Sequence, residues 1–150
     1  MKITYKGDYA LKAMLDLAAY FDEPQTIEDI AKRQDVPVKF LEQILLSLKK
    51  GGFVRSKRGR NGGYMLAREP RRITMGSVIR YIEGPVEPIS CVVKKGGTHC
   101  EFASQCVFYD IYSEIGRQSA EVVDSLNFAE LIERQKKKVA RTKKYLEYVI

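Results

Sequence analysis

Residues 26–52 read TIEDIAKRQDVPVKFLEQILLSLKKGG, and the spacing of their apolar residues predicts two helices joined by a tight turn. Thr26, followed three residues later by Asp29, resembles a capping box with a shorter acid and starts a short helix over Ile27 to Arg33. Its buried positions are Ile27, Ile30 and Ala31. Gln34-Asp35-Val36-Pro37 is a turn, and Pro37 suits the first turn of the next helix because an N–H there has no intrahelical partner to lose. That helix runs from about Pro37 to Lys50 with Leu41, Ile44, Leu45 and Leu48 inward, and Gly51-Gly52 ends it.

After the glycines, Phe53 to Ser56 and Gly63 to Ala67 read as short strands. Between them the basic, turn-rich Lys57-Arg58-Gly59-Arg60-Asn61-Gly62 makes a hairpin with a charged tip. Before Thr26, the residues Ala10, Leu11, Met14, Leu15, Leu17 and Ala18 paint one face of a helix over about Asp8 to Phe21, which Pro24 closes. Three helices and a hairpin in this order describe a winged helix-turn-helix head in a mainly α fold.

The remainder predicts a fourth helix over Thr74 to Glu83, broken by Gly84-Pro85, then an aperiodic loop. A longer helix follows over about Val107 to Leu126, and a short one over Phe128 to Ala140. The last eight residues, 143–150, are apolar enough to dock. The expected organisation is a DNA-binding head over 1–83, a cysteine-bearing sensor loop over 84–106, a dimerisation helix over 107–126, and a C-terminal helix and tail over 127–150. Phe108, Ile111, Tyr112, Ile115, Val122, Val123 and Leu126 are too many apolar positions for a lone surface helix, so this helix forms a homodimer seam or packs on its own head.

Composition narrows the function. With 45% hydrophobic residues the chain can build a core, and 26 Lys and Arg against 19 Asp and Glu leave a charge of +7 that suits a polyanion. No run of eighteen apolar residues and no apolar leader is present, which predicts a cytoplasmic protein without a membrane segment, its cysteines mostly reduced. A single histidine offers no Ser-His-Asp or Cys-His arrangement, and the glycine turn lacks P-loop spacing, so the chain reads as no enzyme.

In a winged helix-turn-helix the third helix enters the major groove. Its residues off the inward stripe are Val38, Lys39, Phe40, Glu42, Gln43, Ser47 and Lys49. Gln43 suits an adenine edge, Lys39 a phosphate, and Glu42 either a cytosine amino group or solvent. At the hairpin tip Lys57, Arg58 and Arg60 stand beside Gly59, Asn61 and Gly62; arginine suits the narrow minor groove, and the glycines let the backbone approach. Tyr9 on the first helix completes the expected DNA-contact set. Such heads bind palindromic duplex operators as dimers.

Cys91, Cys100 and Cys106 fall within sixteen residues, a clustering that favours a shared ligand role over scattered packing. Three soft thiolates can hold a metal or an iron–sulfur cluster, and the absence of a paired Cys-x2-Cys argues against a zinc ribbon. A cluster takes four ligands. The candidates for the fourth are His99, Glu101, Tyr109 and Asp8 from another chain, although an acid in the first turn of a helix is favoured by the helix dipole in any case.

Tyr5-Lys6-Gly7-Asp8-Tyr9-Ala10-Leu11, Ile30-Ala31-Lys32-Arg33-Gln34, Phe40-Leu41-Glu42-Gln43, Arg58-Gly59-Arg60-Asn61-Gly62-Gly63-Tyr64 and Gly84-Pro85 resemble the IscR, NsrR and CymR family of bacterial regulators over nearly the whole chain. The resemblance implies a homodimer with a long dimerisation helix. It implies that the three loop cysteines hold an iron–sulfur cluster, two-iron or four-iron, that controls DNA recognition. Glu42 matches a glutamate that helps separate two classes of DNA site, and Arg58 matches a wing arginine of the minor groove. The histidine that IscR-like members place three residues after the last cysteine is Tyr109 here, whereas Asp8 matches the aspartate that some NsrR-like members supply from the other subunit. The cysteine spacing is longer than in IscR. Ile82-Glu83-Gly84-Pro85-Val86-Glu87-Pro88 and the tyrosine-rich tail look closer to CymR, which regulates cysteine metabolism without a cluster. The expected function is a regulator sensing iron–sulfur, redox or nitric oxide status. The alternatives are a thiol-switching, CymR-like regulator of sulfur metabolism and a module that binds a metabolic enzyme.

Overall fold

The computed structural model describes residues 2–93, 96–98 and 100–149, with side chains described as far as Thr142. His99 and the side chains of the 143–150 tail lie outside the described residues. The elements are α1 (Tyr5–Ala19), α2 (Ile27–Gln34), α3 (Val38–Lys50), β1 (Val54–Lys57), β2 (Gly63–Leu66), α4 (Met75–Glu83), α5 (Val107–Asp124) and α6 (Phe128–Val149). Among the described residues no helix is long and apolar enough to cross a membrane.

The helix-turn-helix forms for local reasons. Thr26 Oγ1 accepts the Asp29 N–H at 3.1 Å and donates to the Asp29 carboxylate at 2.7 Å, closing the capping box. Asp35 takes a left-handed conformation (φ 51°) that turns the chain out of α2, and Val36 buries itself beneath the turn. β1 and β2 pair antiparallel, Val54 opposite Leu66 and Lys57 opposite Gly63. Gln25 adds a third line to this hairpin: its N–H and C=O each bond Tyr64 at 2.8 Å.

Most boundaries differ from the sequence-based expectation by one or two residues, and three of the differences have an identifiable cause. α1 starts at Tyr5, three residues before Asp8, because a distant acid caps it. The Glu83 carboxylate accepts from the Thr4 N–H at 3.1 Å and the Thr4 hydroxyl at 2.6 Å. The helix over 107–126 ends at Asp124, where Met75 N–H bonds Leu126 C=O at 2.8 Å and Phe128 N–H bonds Ile73 C=O at 3.1 Å. The last helix does not stop at Ala140 but continues to Val149. Its run over 134–144 loses apolar period, yet Lys, Arg, Gln and Ala are strong helix formers.

One core joins these elements. Met14 and Leu17 of α1, Ile30 of α2, Leu41, Leu45 and Leu48 of α3, Leu66 of β2 and Val78 of α4 are fully or almost fully buried together. Phe128 at the start of α6 is buried in the same core. A second cluster of Ile79, Val86 and Val123 fixes the C-terminal end of α5 to the head, beside a bidentate pair between Arg80 and Asp124.

Candidate nucleic-acid interface and cysteine loop

α3 and the wing present the expected groups to solvent. Val38, Lys39, Phe40, Glu42, Gln43 and Lys49 are exposed, as are Arg58, Arg60 and Asn61 at the hairpin tip. Phe40 shows 61% of its surface, unusual for an aromatic ring on a helix that buries Leu41, Ile44, Leu45 and Leu48. Ser47 departs from expectation: it is half-buried, and its C=O accepts the Tyr81 hydroxyl at 2.9 Å. Lys49 is held back toward β1 by a 2.6 Å bond to Ser56 Oγ. The free face of α3 is therefore its N-terminal half.

The wing is shaped by two glycines with different reasons. Gly62 closes the tip, its N–H bonding Gly59 C=O at 2.9 Å, and a Cβ there would run into the carbonyl oxygen of Lys57. Gly63 (φ 152°) lies against the Gln25 backbone, where a Cβ would strike the Gln25 carbonyl. The Arg-Gly-x-x-Gly-Gly-Tyr run thus ties the wing to the segment between α1 and α2.

A buried clamp positions α2 against α1. The Asp16 side chain, 2% exposed, accepts from Arg33 Nε at 2.9 Å and Arg33 Nη2 at 2.7 Å, and from Gln34 Nε2 at 3.1 Å. Arg33 also reaches Gln25 Oε1 at 2.7 Å and lies over the Tyr20 ring at 4.4 Å. The Asp16 carboxylate holds the Arg33 guanidinium above its ordinary pKa, chiefly through these hydrogen bonds. One acid thereby connects α1, α2 and the strand-like Gln25 that docks the wing. Asp16 escapes sequence reading because its partners lie 17 and 18 residues away.

Two further surface groups belong to this face. Tyr5, 81% exposed, sits 6.1 Å from the Tyr9 ring, which is 6.5 Å from Phe40. With Lys6, Gln43 and Ile44 these rings line an apolar groove of about 480 Å³ between α1 and α3. Leu46 on α3 is 48% exposed. The four-residue spacing of Tyr5 and Tyr9 was the available signal for the ring pair.

The cysteines lie on the segment between α4 and α5. Cys91 is in a 3-10 turn (Ser90–Val92), the Cys100 backbone C=O accepts from the Ala103 N–H at 3.2 Å, and Cys106 is the N-cap of α5. All three thiols are free and half-exposed. Glu101 is exposed, and Tyr109 is half-buried with its N–H on the Cys106 carbonyl at 3.0 Å. Asp8 pairs with Lys12 at 2.9 Å in its own chain, and that hydrogen bond holds the Lys12 ammonium above its ordinary pKa. The donor types suit a cluster, since soft thiolates bind iron. Among the described residues, however, no three Cys, His, Asp or Glu side chains stand where they could hold one metal ion.

α5 leaves the head along most of its length. Val107, Phe108, Ile111, Ile115 and Val122 are 45% to 67% exposed and recur along one side of the helix. Val123 and Leu126, expected in a dimer seam, instead pack inward, Val123 buried beside α4 and Leu126 half-buried. Arg117 bridges Glu114 at 2.7 Å and Glu121 at 3.0 Å on the polar side. Hydrogen bonds from Arg117 and Gln118 hold the Glu114 carboxyl down to about 2.

A family profile described as Rrf2, iron-dependent transcriptional regulator, matches residues 3–134. The HTH-type transcriptional regulator IscR of Yersinia pseudotuberculosis serotype O:1b is 33% identical over 136 residues, spanning 90% of this chain and 81% of that protein. Among solved structures, CymR (YrzC), the global cysteine regulator of B. subtilis, is similar with a TM-score of 0.71 and 33% identity, over 89% of this chain and 98% of that one. T. potens IscR is similar with a TM-score of 0.73 and 34% identity, over 92% of this chain and 90% of that one.

Proposed function

This chain belongs to the Rrf2 family of transcriptional regulators, and from that premise we propose that it acts as a cytoplasmic homodimer whose cysteine loop sets how two heads meet DNA. In this reading 1–83 is the DNA-binding head, 84–106 the sensor loop, 107–126 the dimerisation helix, and 127–150 the C-terminal helix and tail. α3 reads the major groove of a palindromic operator with Phe40, Glu42 and Gln43 while Lys39 meets a phosphate. Arg58 and Arg60 enter the minor groove, with Asn61 and Gly62 at its rim. Tyr9 supports Phe40 from behind.

The observation that carries the sensing part is a single junction. Cys106 caps the helix whose exposed side is apolar, so any ligand that moves Cys106 moves the start of the seam. The apolar stripe from Val107 to Val122 spans about 22 Å of helix. It is an uncovered apolar side, and a second copy would cover it with the same stripe. An iron–sulfur cluster would be held by Cys91, Cys100 and Cys106 with a fourth ligand from Asp8 of the second copy or from His99. When bound it supplies a redox- and nitric-oxide-reactive centre. The chain's own part is to gather the three thiols and transmit their position through α5 to the spacing of the heads, a shift between two populations of which DNA prefers one.

A thiol-based reading has one specific observation in its favour: the three free cysteines are separately half-exposed rather than gathered. Anaerobic reconstitution followed by iron and sulfide analysis and a visible spectrum separates the two. The cluster reading expects iron, sulfide and colour, all lost in Cys91→Ala, Cys100→Ala or Cys106→Ala. A colourless, iron-free protein that still binds its own promoter region would sink the cluster and leave the thiols. Comparison of Asp8→Ala with His99→Ala identifies the fourth ligand, and retention of the cluster in both removes both candidates.

A further inference from the structure

Seven of the 26 Lys and Arg of the chain lie within residues 134–144, and no Asp or Glu lies among them. Outside that stretch the chain carries 19 basic and 19 acidic residues, so the segment is a second basic concentration beside residues 38–62, where seven Lys and Arg face the single acid Glu42. This segment is not part of the reading helix or the wing. α6 gives Phe128, Leu131 and Ile132 to the core, and from Glu133 to Thr142 every residue is exposed.

The cations are also arranged. Arg134, Lys137, Lys138 and Arg141 follow the i, i+3, i+4, i+7 spacing that places residues on one side of a helix. A core-facing helix fills that pattern with apolar residues; here it is filled with charge over about 10 Å of rise. Among the described residues of the segment only Lys136, off this stripe, is in an ion pair, with Glu133 at 3.0 Å. The helix dipole does not account for the stripe. Its effect fades within the last turn, and Arg141 lies about two turns before Val149.

We infer that this stripe is a second DNA contact, which grips backbone phosphates beyond the stretch covered by the reading helix and the wing. The choice of DNA over an acidic protein follows from what the segment lacks. Protein interfaces centre on aromatic and apolar anchors and are poor in lysine, whereas Val139 and Ala140 are the segment's only apolar residues. Four unpaired cations in line, without an anchor, match a repeating phosphate chain. The inference rests on the DNA-binding reading above and extends it from a site-reading head to a regulator with a sequence-independent arm.

The test compares full-length wild type with R134Q/K137Q/K138Q/R141Q and, separately, R58Q/R60Q. Binding to a 60-bp and a 16-bp mixed-sequence duplex is followed by fluorescence anisotropy across a KCl series. Circular dichroism and sedimentation confirm that each variant keeps its helix content and assembly. Each phosphate contact contributes about 0.9 to the slope of log affinity against log salt. The arm variant is expected to lower that slope by about 2 to 4 on the 60-bp duplex and to change little on the 16-bp duplex. An unchanged slope on the long duplex overturns the inference. So does an equal loss on both lengths, which would put the arm inside the footprint of the head. If R58Q/R60Q weakens binding while the arm variant does not, the arm fails and the DNA-binding reading stands; if neither weakens it, both fail.

Discussion

Asp16 illustrates how much one side chain can organise. It is buried on α1, ligates two residues of α2 and, through Arg33, reaches the Gln25 that docks the wing. Asp16→Ala leaves the Arg33 guanidinium without its partner. Because the Arg33 side chain is 30% exposed, water compensates in part, and the expected loss is about 3 kcal/mol, at the low end for breaking a buried pair. Urea unfolding reads it, and a loss under about 1 kcal/mol would show that the clamp is dispensable. Glu83 makes a second prediction at this scale. Its hydrogen bonds from Thr4 hold the carboxyl below its ordinary 4.5. The stability it contributes is therefore fully present above about pH 4.5 and drains as pH falls through the lower, folded-state value. Glu83→Gln should flatten the acid side of the stability profile below about pH 5. An unchanged acid limb would remove Glu83 as the cap of α1. Neither partner set could be read from the chain: Thr4 and Glu83 are 79 residues apart, and only the packing of α4 on α1 brings them together.

At the scale of elements, the helix-turn-helix and hairpin were legible because each is set by neighbours in sequence. The capping box, the apolar stripe and the glycine turn are all local. The wing prediction is likewise local in cause but tertiary in effect. Gly63→Ala pushes a Cβ into the Gln25 carbonyl at a φ that L-residues rarely adopt, so the hairpin should part from the α1–α2 linker. The expected outcome is a stability loss of about 1–3 kcal/mol together with weaker operator binding, and wild-type values for both would refute the docking role of that glycine. For α5 the pattern announced an apolar helix without saying what it faced. The structure divides it: Val123 packs on the head, while Val107, Phe108, Ile111, Ile115 and Val122 remain uncovered. Ile111→Asp with Ile115→Asp should shift sedimentation from dimer to monomer and leave helix content intact. A monomeric wild type, or a dimeric variant, would assign the seam elsewhere. α6 was the least legible element, because a run of cations has no apolar period even where its backbone is helical.

At the scale of the whole molecule, the cysteines are peripheral to the core, so their role is separable from folding. Cys91→Ala, Cys100→Ala and Cys106→Ala should each unfold within about 1 kcal/mol of wild type while changing the response of operator binding to the sensed signal. Unaltered regulation in all three variants would place the sensor outside this loop. The molecule's charge is likewise uneven: basic residues concentrate in two places, the reading helix with its wing over 38–62 and the segment 134–144 of α6. With the arm inferred above, the salt dependence of binding to long duplexes is expected to fall on α6 as well as on the head.

By itself, the sequence determined the order of elements, the inward stripe of α3, the basic wing tip and the clustering of the cysteines along the chain, since each depends on period, turn chemistry or residue type within a few positions. Only the tertiary structure decided the Asp16 clamp, the Glu83 cap, the burial of Phe128 and Val123, and the separation of the three thiols. Those outcomes depend on residues far apart in the chain, and on which faces the core covers, neither of which a local pattern encodes.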